Sequence, residues 1–256
     1  MSNGLGPEFD TLRAAFDRHE FFLLYQPIVS LTNGHCLGAE ALIRWRQPDG
    51  TAMDAGHFMP STERTPLSGL ITYWVIDTVA ADLDDWLEAH PEGSIAINVP
   101  PEILGRGGLE YAATKSGLGR RAKQLILEIT EHGIPDQLGL DALNRIPQTG
   151  ARVALDDTTL SGTNLALLTR CHFDFVKVDR KLVDQIDPEA PRPAWLDGLS
   201  ALLGNSPLQV IAEGIESAAQ HDILAQAGVQ WGQGRYLAAP QTANTFVRYF
   251  EAAARR

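Results

Sequence analysis

The chain has 256 residues, 44% of them apolar, and a formal net charge of −11. Its size and composition predict a globular α/β protein of one large or two small domains, with enough apolar residues for a core. The acidic balance argues against a main role in binding duplex DNA through its phosphates. No run of about 18 apolar residues predicts a membrane span and no signal peptide is recognisable, so a cytoplasmic protein is expected.

The two cysteines, Cys36 and Cys171, lie far apart without any metal-binding spacing. We interpret them as free thiols of a reducing compartment. Residues 1–9 are interpreted as disordered or as an expression scar. No linker-like stretch divides the remainder, so residues 10–256 are predicted to form one domain.

The first third of the chain predicts a hairpin between two helices. The hairpin strands span 21–29 and 37–45, and the turn between them contains Asn33-Gly34. Strands joined by so short a turn must be antiparallel. The predicted helices span 12–19 and 69–90, and residues 47–66 are predicted to form a loop.

From residue 95 onward, predicted strands and helices alternate without a break, which indicates a parallel sheet with crossover helices. The number of units favours an α/β fold of the closed (β/α)8 TIM-like barrel type, with an antiparallel first strand, over an open doubly wound sheet. The predicted strands span 95–99, 124–130, 152–157, 173–178, 209–212 and 229–232. The predicted helices follow Pro100-Pro101 and then span 136–148, 164–169, stretches up to 203, 217–227 and 244–254.

The strand over residues 37–45 carries two charged side chains on one face. Glu40, Leu42 and Arg44 share that face because side chains alternate along a strand, and Glu40 and Arg44 lie roughly 13 Å apart. A carboxylate in so apolar a strand is costly to bury unless a cation meets it. That cation is either a metal ion or a basic side chain, and the simplest case is a Glu40–Arg44 pair that closes the barrel end.

Polar residues also follow the other apolar runs, at the strand ends where barrels of this type carry their chemistry. They are Asn98, Glu128, Glu131, Asp156, Asp157, Lys177, Asp179, Glu213 and Glu216. Each alone has a structural explanation, such as a helix cap, a first-turn charge or a simple ion pair. Together they place several carboxylates around one lysine, and oxygen ligands of this kind suit Mg²⁺ or Mn²⁺. Two such ions form a clamp for phosphodiester hydrolysis, which Asp156 and Asp157 can share only if their strand bends.

In order and spacing, these residues resemble the EAL domain family of bacterial cyclic di-GMP phosphodiesterases over nearly the whole chain. The matching segments are Tyr25-Gln26-Pro27, Glu40-Ala41-Leu42 with Arg44-Trp45, Asn98-Val99-Pro100, 127–131, 154–157, 177–180, 212–216 and Gln233-Gly234. The resemblance implies a barrel with an antiparallel first strand. It also implies cleavage of cyclic di-GMP to linear pGpG with Mg²⁺ or Mn²⁺.

The resemblance further implies a role for each matched residue. Glu40, Asn98, Glu128 and Asp156 would bind one metal ion, Asp156 and Asp157 would bind a second, and Ca²⁺ would inhibit. Lys177 would orient the attacking water, Glu213 would act as a base or support the ligands, and Glu131 would steady the loop after Asp157. Gln26, Arg44, Asp179, Gln233 and Glu216 would contact the dinucleotide.

The loop after Asp157 departs from the family's pattern. The family usually has Phe-Gly-Thr-Gly-Tyr-Ser-Ser there, whereas residues 158–164 read Thr-Thr-Leu-Ser-Gly-Thr-Asn, and Arg235 replaces a usual tyrosine. In the family this loop supports the second metal and a homodimer contact. The alternative to an active enzyme is therefore a cyclic di-GMP receptor or protein-interaction module, and a third hypothesis is another metal-dependent barrel enzyme, such as a lyase. Family members are often fused to sensory or cyclase domains, and neither is recognisable here.

Overall fold

The computed structural model describes residues 8–130, 135–158, 167–187, 193–204 and 206–253, except for the side chains of Asp157 and Leu202. The described part of the chain contains nine strands, of which eight close into a barrel and one, β3, extends its edge. The strands are β1 (Phe21–Ser30), β2 (Cys36–Arg46), β3 (Ala52–Asp54), β4 (Ser94–Val99), β5 (Leu125–Thr130), β6 (Arg152–Thr158), β7 (Phe175–Val178), β8 (Gln209–Ala212) and β9 (Trp231–Gly232).

The barrel has the predicted topology. Strand β1 pairs antiparallel with β2, and Phe21 lies opposite Trp45. The sheet then continues with parallel pairs from β2 through β4 to β9. It closes where β9 pairs antiparallel with β1, with Val29 opposite Gly232. The prediction of a TIM-like barrel with an antiparallel first strand is confirmed.

Helices surround the barrel. They are α1 (Phe9–Asp17), α2 (Pro66–Ala89), α3 (Gly108–Ser116), α4 (Gln137–Leu143), α5 (Ile146–Thr149), α6 (Arg180–Val183), α7 (Ala194–Gly204), α8 (Ala218–Gln226) and α9 (Ala243–Ala253), with 3-10 helices at Ala55–His57, Met59–Thr62, Pro101–Ile103 and Leu118–Gln124. None of the helices in the described ranges is both long enough and apolar enough to cross a membrane.

Three local predictions need correction. The single helix over 136–148 is instead two helices, because Pro147 lacks the N–H that a continuous helix would need at that point. The loop over 47–66 contains β3 and two 3-10 helices. Phe9, which was assigned to the disordered terminus, is the first residue of α1.

The sequence of the long helix α2 explains where this helix begins and which of its faces is buried. Thr65 caps the helix by accepting a hydrogen bond from the Leu67 N–H, and Pro66 occupies the first turn, where a missing N–H costs nothing. Ile71 and Val79 are buried on the face that belongs to the main core. Burying each such side chain contributes about 1.5–3 kcal/mol. The outer core therefore holds the strands in place from outside while the barrel interior is filled separately.

Candidate active site

The barrel interior contains one apolar layer. It consists of Ile28, Ala96, Ile126, Ala154, Phe175 and Ile211, each no more than 1% exposed. Side chains alternate along a strand, so the residue two positions further along points into the same interior. On β4 to β8 those residues are Asn98, Glu128, Asp156, Lys177 and Glu213. A ring of polar side chains therefore lies directly above the apolar layer, at the carboxyl end of the parallel strands.

The ammonium group of Lys177 occupies the centre of this ring. Its Nζ lies 2.7 Å from Glu213, 2.9 Å from Glu128, 3.1 Å from Asp156 and 3.2 Å from Glu40. Burial lowers the pKa of Lys177, but the four carboxylates outweigh burial and hold that pKa well above its ordinary value. Both simple ion-pair interpretations are wrong, because Lys177 faces four acids and Glu40 pairs with Lys177 and not with Arg44.

Glu40 on β2 completes the ring and accepts hydrogen bonds from two amide side chains. Asn98 Nδ2 donates to its Oε1 at 2.8 Å, and Gln233 Nε2 donates to its Oε2 at 3.1 Å. Burial raises the pKa of Glu40, but Lys177 and these hydrogen bonds lower it below the ordinary value. These contacts therefore favour the ionised form of Glu40. The interpretation of Asn98 as a helix cap is wrong, because its amide contacts Glu40.

Glu128 is the opposite case. It is fully buried, and neither carboxylate oxygen has a hydrogen-bond partner within the described ranges. Burial, together with the nearby charge of Glu40, raises the pKa of Glu128 well above its ordinary value. Its nearest cation is Lys177, 2.9 Å away, but that ammonium is shared with three other acids. A carboxylate buried in this way is costly to ionise unless a proton or a metal ion supplies further positive charge.

The ring contains a set of oxygens suited to a divalent cation. One oxygen each from Glu40, Glu128 and Asp156 lie within 4.8 Å of one another. These hard ligands and the unsatisfied oxygens of Glu128 fit the group that the sequence predicts. The fourth acid, Glu213, has its pKa raised to about 8 by burial and by its acidic neighbours. We conclude that this ring could bind a metal ion.

The backbone bulges where the sequence analysis requires a bend. Leu155 lies opposite Val176, but Thr158 lies opposite Val178, so β6 has one residue more than β7 between these pairs. The extra residue falls at Asp156 and Asp157. The metal-binding role of Asp157 stays a prediction, because its side chain is outside the described set.

Other predicted site residues surround the ring. Gln233 is buried beside Glu40, and its Oε1 has no hydrogen-bond partner in the part of the chain that is described. Gly234 follows with φ +157, and a Cβ there would lie 2.1 Å from the carbonyl oxygen of Ile215, so only glycine permits this approach. Gln26 lies opposite Glu40 across the hairpin, and its Nε2 donates to the Ala238 carbonyl at 3.4 Å.

Three of the predicted site residues have their described contacts outside the ring. Asp179 caps helix α6 by accepting a hydrogen bond from the Lys181 N–H at 2.6 Å. Glu216 forms an ion pair with Arg180 at 2.8 Å. Arg44 forms an ion pair with Asp54, and its Nε lies 2.8 Å from Oδ1. Glu131 and residues 159–164 of the divergent loop lie outside the described residues.

Sequence reasoning missed Asp54 and Arg180, the two partners of these charged residues. Asp54 lies in a strand of only three residues, which is too short to show periodicity. Arg180 lies in the segment 177–180 that was singled out for Lys177 and Asp179. A count of charges near each predicted site residue would have marked both as candidates, but no spacing rule would have paired them.

A barrel with an antiparallel first strand and an acid-rich ring at its mouth defines a class of α/β barrels. Within that class the chain belongs to the EAL domain family, whose model matches residues 10–240.

Named relatives agree with this assignment. The chain is 31% identical over 243 residues to the probable cyclic di-GMP phosphodiesterase PdeB of Escherichia coli, covering 94% of this chain and 46% of PdeB. It is 31% identical over 238 residues to the bifunctional diguanylate cyclase/cyclic di-GMP phosphodiesterase MucR of Pseudomonas aeruginosa, covering 91% of this chain and 35% of MucR. The chain therefore spans less than half the length of these two curated relatives.

The fold likeness is close. The structure of the PaMucR phosphodiesterase in complex with c-di-GMP superposes with a TM-score of 0.82 and 29% identity, covering 92% of this chain and 98% of that one.

Proposed function

We propose that this chain is a metal-dependent phosphodiesterase that hydrolyses cyclic di-GMP to linear pGpG and so lowers the level of this second messenger. The observation that carries the proposal is the cluster of three buried carboxylates, Glu40, Glu128 and Asp156, whose oxygens lie within 4.8 Å of one another and which share the single ammonium of Lys177. The names of PdeB and MucR as cyclic di-GMP phosphodiesterases support the choice of substrate.

The proposal assigns the metal ligands as the resemblance does. Glu40, Asn98, Glu128 and Asp156 would hold one ion, and Asp156 with Asp157 would hold a second. Bound Mg²⁺ or Mn²⁺ would supply positive charge to the phosphate and lower the pKa of a water molecule. Ca²⁺ is expected to bind and to inhibit, because its larger and looser coordination suits a tight clamp poorly.

The side chains of the ring would share the remaining work. Hydrolysis joins a water oxygen to phosphorus and breaks one P–O3′ bond, and the proton lost by water ends on the departing 3′ oxygen. Lys177 would orient the attacking water through an ammonium N–H. Glu213, whose side chain is 22% exposed, is more open than Glu40, Glu128 or Asp156, which are at most 8% exposed, so it is the acid that solvent reaches most easily. We assign Glu213 as the proton acceptor.

The remaining assignments concern the substrate. Arg44 would pair with a phosphate of the dinucleotide, and a guanidinium is well suited to this because it offers parallel N–H donors. Gln26 and Gln233 would donate or accept at the edge of the ring. Asp179 and Glu216 would act further out, and Glu131 would steady the loop after Asp157.

The alternative function is a cyclic di-GMP receptor or protein-interaction module without turnover. The observation that favours it is the sequence of residues 158–164, which lacks the two glycines usual in the family. Glycine permits backbone conformations with positive φ that threonine and leucine adopt only with strain. The receptor hypothesis predicts that nucleotide binding survives removal of divalent ions by EDTA.

The deciding experiment is incubation of the purified chain with cyclic di-GMP and either Mg²⁺ or Mn²⁺, with products separated by chromatography. We expect pGpG to accumulate with metal and not with EDTA. No pGpG at any concentration of either metal would exclude the phosphodiesterase. Binding of cyclic di-GMP in EDTA without turnover would favour the receptor.

Three further predictions remain open to direct test. Light scattering would test the expected homodimer, and the genomic context of the coding sequence would test fusion to sensory or cyclase domains. Fractionation of the source cells would test the expected cytoplasmic location.

A further inference from the structure

The β1–β2 hairpin continues beyond the barrel wall. Strand β2 pairs with β4 only from Gly38 to Ala41, but it pairs with β1 as far as Trp45. Beyond the wall, the place of β4 beside β2 is taken by the short strand β3, which pairs with Arg44 to Arg46. We call β3 and the part of the hairpin outside the barrel the outer ribbon.

The two faces of the outer ribbon differ in burial. Leu23, Ile43 and Trp45 are buried in the main core, whereas Leu42 and Arg44 on the other face are half-buried. Leu42 and Arg44 follow Glu40 at two-residue spacing, so this half-buried face is continuous with the ring. The outer ribbon therefore extends the acidic site by a surface that a ligand can cover.

Arg44 is held on this face from two directions. Asp54 lies directly opposite Arg44 in the β2–β3 pair, and its Oδ1 is 2.8 Å from Arg44 Nε. Arg44 Nη1 donates to the carbonyl of Ile43 at 2.9 Å. Nη2 has no partner in the part of the chain that the structure describes. One end of the guanidinium is therefore fixed, and the other end keeps its donors for a ligand.

The exposure of the two partners shows which one is anchored. The Arg44 side chain is only 12% exposed, whereas that of Asp54 is 68% exposed. An arginine so deeply covered needs a counter-charge, and a free arginine side chain samples many rotamers that binding must restrict. An ion pair that already restricts those rotamers reduces the entropy lost when an anion binds.

We propose that Asp54 is a positioning residue that fixes the Arg44 guanidinium for a phosphate of the cyclic dinucleotide. The inference rests on the proposed function, since it takes cyclic di-GMP as the ligand. Asp54 itself does not touch the ligand. Its carboxylate engages the Nε side of the guanidinium, so the Nη2 end can donate to phosphate without first breaking the ion pair.

The test is titration of cyclic di-GMP into the chain with Ca²⁺ present, so that binding is measured without turnover. Asp54→Ala is expected to raise the dissociation constant about 3- to 10-fold, the range expected for ordering one long side chain. Asp54→Glu, which keeps the carboxylate that pairs with Arg44, is expected to stay within about threefold of the unaltered chain. Asp17→Ala, which removes an exposed carboxylate from an ion pair on α1, is the matched control and should change nothing.

Two additional measurements distinguish an effect of Asp54 through Arg44 from a general loss of structure. In an Arg44→Ala background, Asp54→Ala should have no further effect on binding, because the carboxylate acts only through that guanidinium. The affinity for Mn²⁺ should be the same in every Asp54 variant, because the ring is untouched.

The outcomes decide between the two proposals. Unchanged or tighter binding by Asp54→Ala, or an equal loss in the Arg44→Ala background, overturns the role of Asp54 and leaves the proposed function standing. No binding of cyclic di-GMP by the unaltered chain overturns both. Weaker binding by Asp54→Ala, rescue by Asp54→Glu and no effect in the Arg44→Ala background support the positioning role.

Discussion

The ring and the outer ribbon solve the problem of placing charge near a ligand in different ways. In the ring, four acids converge on one fully buried lysine; the lysine and three of the acids project from different barrel strands, and Glu213 directly follows β8. In the outer ribbon, one arginine pairs with one exposed aspartate on a three-residue edge strand. The ring is fixed by the backbone of the whole barrel, whereas the ribbon depends on a local ion pair. Under the proposed assignments, chemistry is placed on the barrel strands and ligand recognition on the edge of the fold.

The sharpest way to break this comparison is Lys177→Met. The substitution leaves four buried carboxylates without a cation, and removing one partner of a buried ion pair costs roughly 3–5 kcal/mol. We expect the free energy of unfolding in EDTA to fall by that amount, as measured by urea denaturation. Lys115→Met, which removes an exposed pair with Asp77, should cost less than about 1 kcal/mol.

Added Mn²⁺ should restore part of the stability of Lys177→Met, since a bound cation replaces the lost charge. If this variant is as stable in EDTA as the unaltered chain, the four acids are not held together by Lys177.

Substitution of Glu40 tests the metal assignment of the ring. Glu40→Ala should reduce turnover of cyclic di-GMP at least about 100-fold while the chain stays folded, because the change removes a ligand and little core volume. Turnover would be followed by chromatography and folding by circular dichroism. Glu110→Ala on the surface of α3 serves as the control. Activity that survives Glu40→Ala would contradict the assignment.

Arg44→Ala tests the ribbon half of the comparison. A charge-assisted hydrogen bond is worth about 1.5–3 kcal/mol, so the KM for cyclic di-GMP should rise roughly 10- to 100-fold. The affinity for Mn²⁺ should change much less, because Arg44 is not among the ring contacts. Titrations that show the reverse ranking would place Arg44 in the metal site. Arg13→Ala, in an exposed pair on α1, is the matched control.

The smallest expected effect is a pH dependence of stability without metal. The pKa of Glu128 lies well above its ordinary value, and that of Glu213 is raised to about 8. Between about pH 5 and 8 the folded chain therefore retains protons that the unfolded chain, with ordinary glutamate pKa values of about 4.3, has already released. Because the folded state binds more protons in this range, the free energy of unfolding falls as pH rises. The slope is at most about 1.4 kcal/mol per pH unit for each carboxyl.

Urea denaturation in EDTA at several pH values measures this slope. The lowered pKa of Glu40 acts only at lower pH, outside this window. Glu213→Gln should reduce the slope, and saturating Mg²⁺ should flatten it, since the metal displaces the same protons. A stability that rises from pH 5 to 8 in EDTA would show that these carboxyls are ionised in the folded chain.

The sequence predicts the ring well because two strong regularities coincide there. The two-residue period of a strand and the shared carboxyl edge of parallel strands together bring Asn98, Glu128 and Lys177 to one mouth. Contacts between charges distant in sequence follow no such period, which is why the pair of Arg44 with Asp54 was not foreseen. The convergence of all four acids on one lysine could not be predicted either, because spacing along a strand does not determine how far a side chain reaches across the barrel.

The apolar layer beneath the ring determines from which side a ligand can reach the acids. Ile28, Phe175 and Ile211 lie in that layer with at most 1% of their surface exposed, so the barrel is plugged below the acids and is not a tunnel. Anything that reaches the ring must arrive from the mouth, and any product must leave by the same opening. The outer ribbon continues β2 beyond Glu40, so it extends the wall of the barrel on the side of the ring.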